Sequence, residues 1–133
     1  MTAQEVNPMA VVTALDEAVN AGRLEAALAL FGDDAVVTFP SQPEPNRFAG
    51  KEQIRNWLQS DISEGIHVES SERQADGERV VWTGRISLAA WRERGILPIE
   101  GQAEAIVRDG QIVSFTYAVS PESLARMQQA GLS

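Results

Sequence analysis

Along the first half of the chain apolar side chains recur every three to four residues, and along the second half they alternate, so helices precede most of a sheet. Asn7 before Pro8 supplies an N-cap followed by proline at the first helical position, and Val6 with Val11 has the spacing of a hydrophobic staple. Val11, Val12, Leu15, Ala18 and Val19 form one apolar stripe, which Gly22 ends. Leu24, Ala27, Leu28 and Phe31 fall at i, i+3, i+4 and i+7 and predict a second, short helix from Arg23. Asp33 and Asp34 close it, and a strand follows over 35–39. The proline-rich segment 40–50, PSQPEPNRFAG, reads as a loop long enough to form the rim or lid of a site. Ile54, Trp57, Leu58 and Ile62 mark a third helix over 51–63, with Gly65 beyond its end.

From there strands are expected at 66–74, 78–88, 98–108 and 111–119, with turns that include Asp76-Gly77 and Asp109-Gly110. Residues 90–95 read as a short helical turn whose Trp91 covers one end of the fold. Ser120 before Pro121 repeats the cap-then-proline signal and opens a last helix with Leu124 and Met127 directed inward. The order ααβαββββα describes an α+β domain with a largely antiparallel sheet.

Composition narrows the chemistry. With 133 residues, 44% of them apolar and 23% charged, the chain fits one folded domain over 1–133. The absence of cysteine removes disulfides, thiol nucleophiles and thiolate metal sites, and a single histidine removes the two-histidine zinc motifs. Adjacent Asp33 and Asp34 diverge at an element end and read as capping rather than as a metal pair, so neither a metal nor a cofactor is assigned. His67, beside Glu69 at the start of a strand, reads as a surface residue. Eleven basic against nineteen acidic residues give a net charge of −8, which disfavours nucleic acid and anionic membranes as partners. The first residues lack the basic region and apolar stretch of a signal peptide, and no run reaches the roughly 18 apolar residues of a membrane span, which places the protein in the cytoplasm.

Three segments, NAGRLEAALALFGDDAVVTFP, FAGKEQIRNWL and RDGQIVSFTY, resemble the nuclear transport factor 2-like superfamily, especially its SnoaL-like members, over nearly the whole chain. The resemblance implies a cone-shaped α+β fold of the cystatin-like kind, usually dimeric. In it a curved, mainly antiparallel sheet wraps around the N-terminal helices and encloses a pocket. It implies no single activity, because the superfamily includes steroid isomerases, epoxide hydrolases, dehydratases, polyketide cyclases and non-catalytic modules. Against ketosteroid isomerases, Phe39 stands at the place of the base, Leu15 at that of the oxyanion-donating tyrosine, and the protonated aspartate falls near Gln102. Against limonene-epoxide hydrolases, Gly84-Arg85-Ile86-Ser87 keeps the arginine, while Ser87 and Tyr117 stand where the two aspartates belong. Neither mechanism retains its acid and base.

A two-residue turn at Asp109-Gly110 pairs Arg108 with Gln111. An uninterrupted ladder then pairs Ile106 with Val113, Glu104 with Phe115 and Gln102 with Tyr117. The large side chains assign this set to the concave face, with Ala103, Ala105 and Val107 opposite Thr116, Ser114 and Ile112 outside. The resemblance puts Arg85 and Tyr117 at pocket positions, so Thr83, Arg85 and Ser87 join the concave face. Arg85 then takes Glu104 as its partner, since an unpaired buried arginine is costly. The expected catalytic group is Arg85 polarising a ligand oxygen, Glu104 orienting it or acting as a base, and Tyr117 donating a hydrogen bond. A structural ion pair closing the core fits the same pattern. Val37, Phe39, Trp57 and Phe115, with Thr83, Ser87 and Gln102, complete a pocket for a small apolar or amphiphilic molecule.

Val80, Trp82, Ile86, Leu88, Ala103, Ala105 and Val107 form a second apolar face, expected to be convex and to pair with a second copy in a homodimer, the alternative being burial under the terminal helix of the same chain. The function read from the sequence is small-molecule binding. One alternative is an enzyme performing proton transfer on a hydrophobic carbonyl compound, by isomerisation, dehydration or cyclisation. Another is a non-catalytic dimerisation or regulatory module.

Overall fold

A computed structural model describes residues 7–42 and 46–131. Helix α1 (Pro8–Asn20) begins where Asn7 Oδ1 accepts the Met9 amide at 2.8 Å, and its stripe from Val11 to Val19 is buried. The staple expected from Val6 lies outside the described residues. The chain continues as α2 (Leu24–Leu28), β1 (Phe31–Thr38), β2 (Arg47–Ala49), α3 (Gly50–Ser63), β3 (His67–Asp76) and β4 (Arg79–Ser87), then α4 (Ala89–Glu93), β5 (Ile99–Arg108), β6 (Gln111–Val119) and α5 (Pro121–Gln129). Six strands make one curved, open sheet in the order β2-β1-β6-β5-β4-β3, antiparallel except where β1 runs parallel to β6. α1 packs on β3, β4 and β5, α3 on β1 and β2, and α2 lies between the two helices. The fold is the cone-shaped α+β architecture expected from the sequence.

Three local expectations change. Phe31 belongs to β1 rather than to the second helix: it pairs with Ile112 and is fully buried, while Asp33 and Asp34 are exposed on an irregular stretch before Val36. A buried aromatic at i+7 satisfies a helix stripe and a strand equally well, and the Leu30 carbonyl, which accepts the Ile112 amide at 2.8 Å, decides for the sheet. Within the proline-rich segment, Arg47, Phe48 and Ala49 form β2 against β1. The first hairpin turns at Gly77-Glu78, one residue later than expected, because Asp76 pairs with Arg79.

The consequential difference lies in the last hairpin. Asp109 and Gly110 both take left-handed backbone angles, φ +54° and +78°, as a two-residue turn matched to strand twist requires. Arg108 pairs with Gln111 and Val107 with Ile112, but Ile106 then pairs with Ser114, leaving Val113 without a partner. Past this bulge Ala105 faces Phe115, Ala103 faces Tyr117 and Gly101 faces Val119. One extra residue exchanges the faces of everything beyond it relative to the neighbouring strand. Phe115 and Tyr117 therefore point toward the helices in company with Val80, Trp82, Ala103 and Ala105. Those four were expected on a convex dimer face and are at most 4% exposed. Ile86, from the same expected face, packs against the same core. Thr83, Arg85, Gln102 and Glu104, expected inside, lie on the opposite side of the sheet.

Small residues on the concave wall make room for the rings. Gly84 and Gly101 are cross-strand partners, and the Tyr117 ring lies over both. A Cβ at Gly101 would come within 2.8 Å of the ring and 2.4 Å of the Ala118 carbonyl. A second bulge, between Ser71 and Gln74 of β3, holds Glu72 at φ +58° and turns Arg73 toward α1. There its guanidinium bonds Asp16 and Thr13, and the Ser70 hydroxyl donates to the same Asp16 carboxylate. The arginine drawn out of water is thus Arg73, with 21% of its side chain exposed against 55% for Arg85. Burial raises the Asp16 pKa, opposed by Ser70 and Arg73.

Gly101→Ala is expected to lower unfolding stability by about 1–3 kcal/mol through overpacking, while Tyr117→Phe, which keeps the ring, costs only about 1 kcal/mol. Urea denaturation measures both; a neutral Gly101→Ala would contradict the close approach of ring and backbone.

Candidate functional site

Where α3, α4 and α5 meet the concave end of the sheet they leave a cavity of about 380 Å³. α3 supplies Asn56, Trp57, Ser60 and Asp61; Phe39 and Gln42 come from the chain after β1, Phe48 from β2 and Ile66 from just before β3. Ile86 and Leu88, Ile99 and Tyr117 come from β4 and its end, β5 and β6, with Trp91 from α4 and Met127 from α5. The wall is aromatic because Trp57 gathers its neighbours. Its ring centroid lies 5.4 Å from Phe39, 6.2 Å from Phe48 in a near-parallel stack, and 6.2 Å from both Phe31 and Phe115. Such arrangements add to the area that the rings bury.

Two ionisable groups sit inside. The Tyr117 hydroxyl donates to the Gly84 carbonyl at 2.9 Å, and burial, with the charge of Glu100 adding to it, pushes its pKa well above the ordinary phenol value. Asp61 is drawn into the wall by the helical period that buries Ile54 and Leu58 and half-buries Trp57. Burial lifts its carboxyl to about 7, Glu64 at the C-terminal cap of α3 raises it too, and a hydrogen bond from the Trp57 side chain acts in the opposite direction. A carboxyl poised near neutrality can accept or release a proton at physiological pH. Gln42, Asn56 and Ser60 are exposed at the rim, and none of the described lining residues is cationic.

Of the residues expected in the pocket, Phe39, Trp57 and Tyr117 line the cavity, whereas Phe115 does not and packs instead against Trp57 and Trp82. Val37 is fully buried core, paired with Phe115 in the parallel ladder. The Arg85–Glu104 pair is not formed. Arg85 Nε donates to Glu100 Oε2 at 3.2 Å, and Glu104 pairs with Arg79, both in solvent on the outer face. On that face Thr83 accepts from the Gln102 amide at 2.9 Å and donates to Glu72, and Ser87 Oγ accepts from Arg92 at 2.8 Å. His67 is exposed, 3.5 Å from Glu69. The residue that the sequence reading missed is Asp61, although a signal was present: it falls at i+7 from Ile54 and i+4 from Trp57, an acidic group set within a buried stripe.

The model of the SnoaL-like domain matches residues 12–115. The chain belongs to this SnoaL-like domain family. No curated protein matches it. Among solved structures, this SnoaL-like domain is similar to a nuclear transport factor 2-like protein of unknown function from Cytophaga hutchinsonii, at 14% identity over 93% of this chain and 99% of that one, with a TM-score of 0.72. An uncharacterised cystatin-fold protein from Novosphingobium aromaticivorans matches at 17% identity over 85% and 98%, with a TM-score of 0.68. The epoxide hydrolase/cyclase-like enzyme SalBIII, described in pyran ring formation in the polyether salinomycin, matches at 15% identity over 87% and 92%, with a TM-score of 0.73. At these identities the likeness establishes the fold alone. Among the described residues no helix is long and apolar enough to cross a membrane.

Two outcomes follow for this SnoaL-like domain. A carboxyl whose folded-state pKa is raised contributes its full stability below the unfolded value and loses it as pH rises through the folded value, here from 3.8 to about 7. Asp61→Asn should therefore match the natural protein near about pH 4 and exceed it by about 1–3 kcal/mol above about pH 7, read by denaturation across pH. Arg85→Ala and Glu104→Gln, each breaking a solvent-exposed pair, should change stability by under about 1 kcal/mol; larger losses in the same assay would place these pairs in the core.

Proposed function

We propose that the domain binds a small, largely apolar molecule in the cavity beneath α3. One observation carries the reading: an aromatic-walled space of about 380 Å³ whose described lining includes one carboxyl, poised near neutral pH. Its size falls within the range of small-molecule sites, and its few polar groups converge as such sites require. A second reading, supported by the same carboxyl, is proton-transfer catalysis with Asp61 as the acid-base group in the role first sought in Glu104. A cyclase-like enzyme of the same fold, SalBIII, supports it by analogy. In that reading Tyr117, its proton committed to the Gly84 carbonyl, offers a ligand its lone pairs rather than a strong hydrogen bond.

Filling the space tests the proposal. Ile86→Trp puts an indole into the cavity from a position half-open to it, so the variant should fold, by circular dichroism, and lose the thermal shift and tryptophan quenching that apolar carbonyl and amphiphilic compounds produce with the natural protein. Retention of binding in Ile86→Trp would move the site elsewhere. Turnover that survives Asp61→Asn would remove the catalytic reading.

A further inference from the structure

The described lining of the cavity offers aromatic faces and a carboxyl, and no cation. Phe39, Phe48, Trp57, Trp91 and Tyr117 turn aromatic surface toward it, and Asp61 is the one carboxyl among its described lining residues. An aromatic face carries negative charge, and a cation placed over it is attracted, by more where water is excluded. The Tyr117 hydroxyl spends its proton on the Gly84 carbonyl 2.9 Å away and keeps its lone pairs for a ligand. The exposed amides and hydroxyl of Gln42, Asn56 and Ser60 stand at the rim, outside the aromatic box.

The charges around Asp61 complete the case. On its own helix the facing group is Glu64, an anion that disfavours a second negative charge. Across the cavity β6 presents Tyr117, held neutral by burial. From α4 the neighbouring Arg92 is engaged elsewhere, donating to Ser87 Oγ and carbonyl at one nitrogen and to the Gly65 carbonyl at the other, and it is not among the lining residues. β4, β5 and α5 contribute Ile86, Ile99 and Met127, all uncharged. The carboxyl thus sits among aromatic rings with no cation among the described lining residues to pair with. A developing oxyanion would find no arginine, lysine or histidine in this wall, so anionic ligands and enolate-like intermediates are poorly served. A chain of net charge −8 also concentrates cations near its surface.

We propose that the ligand of this cavity is an apolar molecule carrying a protonated amine, whose ammonium group pairs with Asp61 and lies against the aromatic wall. The proposal rests on the reading of the cavity as a binding site and specifies its chemistry. An ammonium supplies the cation that the described lining lacks, and it converts a carboxyl destabilised by burial into half of a paired, hydrogen-bonded site. The linkage has a definite sign. Binding a cation lowers the Asp61 pKa, so below neutrality association releases a proton, and affinity rises with pH until the carboxyl is fully ionised.

Three probes of matched shape test this: 2-cyclohexylethylamine, 2-cyclohexylethanol and 3-cyclohexylpropanoate, titrated into the intact protein by calorimetry and tryptophan fluorescence from pH 5 to 8.5. The expected result is that the amine binds about tenfold or more tightly than the alcohol at the upper pH. The advantage should fade as pH drops below 7, with proton release near pH 6 in buffers of different ionisation enthalpy. Asp61→Asn should bring the affinity of the amine down to that of the alcohol. Equal binding of amine and alcohol, independent of pH, would overturn the ammonium proposal while leaving the cavity as a binding site, as would tighter binding of the carboxylate. Failure of all three probes to bind at millimolar concentration, with natural protein and variant alike, would overturn the binding-site reading itself. The pH series on the natural protein decides the question independently of how the variant folds.

Discussion

The inner surface of this domain depends on one residue that has no partner. Val113 is left over in the ladder between β5 and β6. Because side chains in a strand alternate with a period of two, this single insertion decides which half of two strands faces the helices. With it, Phe115 and Tyr117 share a wall with Ala103, Ala105 and Trp82, and large rings sit against small neighbours. Without it, the same rings would stand beside Glu104 and Gln102, and charge would line the interior. Gly84 and Gly101 belong to the same arrangement: they are paired across β4 and β5 at the one place where the tyrosine ring comes down onto the backbone.

Once the faces are set, the charges sort themselves. Arg79–Glu104 and Arg85–Glu100 run across the outer face, where an ion pair in water contributes little and keeps the sheet solvated. The only arginine substantially withdrawn from solvent among the ion pairs described is Arg73, carried inward by the β3 bulge and held by Asp16, Thr13 and Ser70. That cluster ties α1 to the sheet and lies away from the cavity lining. The net acidity of the chain is therefore largely a property of its surface; of the two carboxyls that burial raises, Asp16 is held by Arg73 and Asp61 lies in the cavity wall.

That carboxyl is coupled to the fold through α3. Trp57 packs against four phenylalanines, which fixes the rotation of the helix, and the same rotation brings Asp61 into the cavity one turn later. Packing and chemistry are thus set by one helical stripe. An acid held there is costly to the protein when ionised and unpaired, which is the physical basis for reading it as functional.

The sequence by itself determined the order of elements, the buried stripes of α1 and α3, the capped starts at Asn7 and Ser120, the Asp109-Gly110 turn and the SnoaL-like resemblance. These depend on local periodicity and on residues with strong backbone preferences, which act over a few positions. It also placed Phe39, Trp57 and Tyr117 near one another. It could not decide on which side of the sheet Arg85 and Glu104 lie, because a one-residue bulge leaves no mark in the alternation of β6: Val113 and Phe115 look as much like one face as Ile112 and Phe115 do across the insertion. Nor could it show that Asp61 ends among aromatic rings, since those come from five separate elements. Only the tertiary structure settled these points, because register and burial are set by what the strands and helices pack against, and that information lies outside any local stretch of the chain.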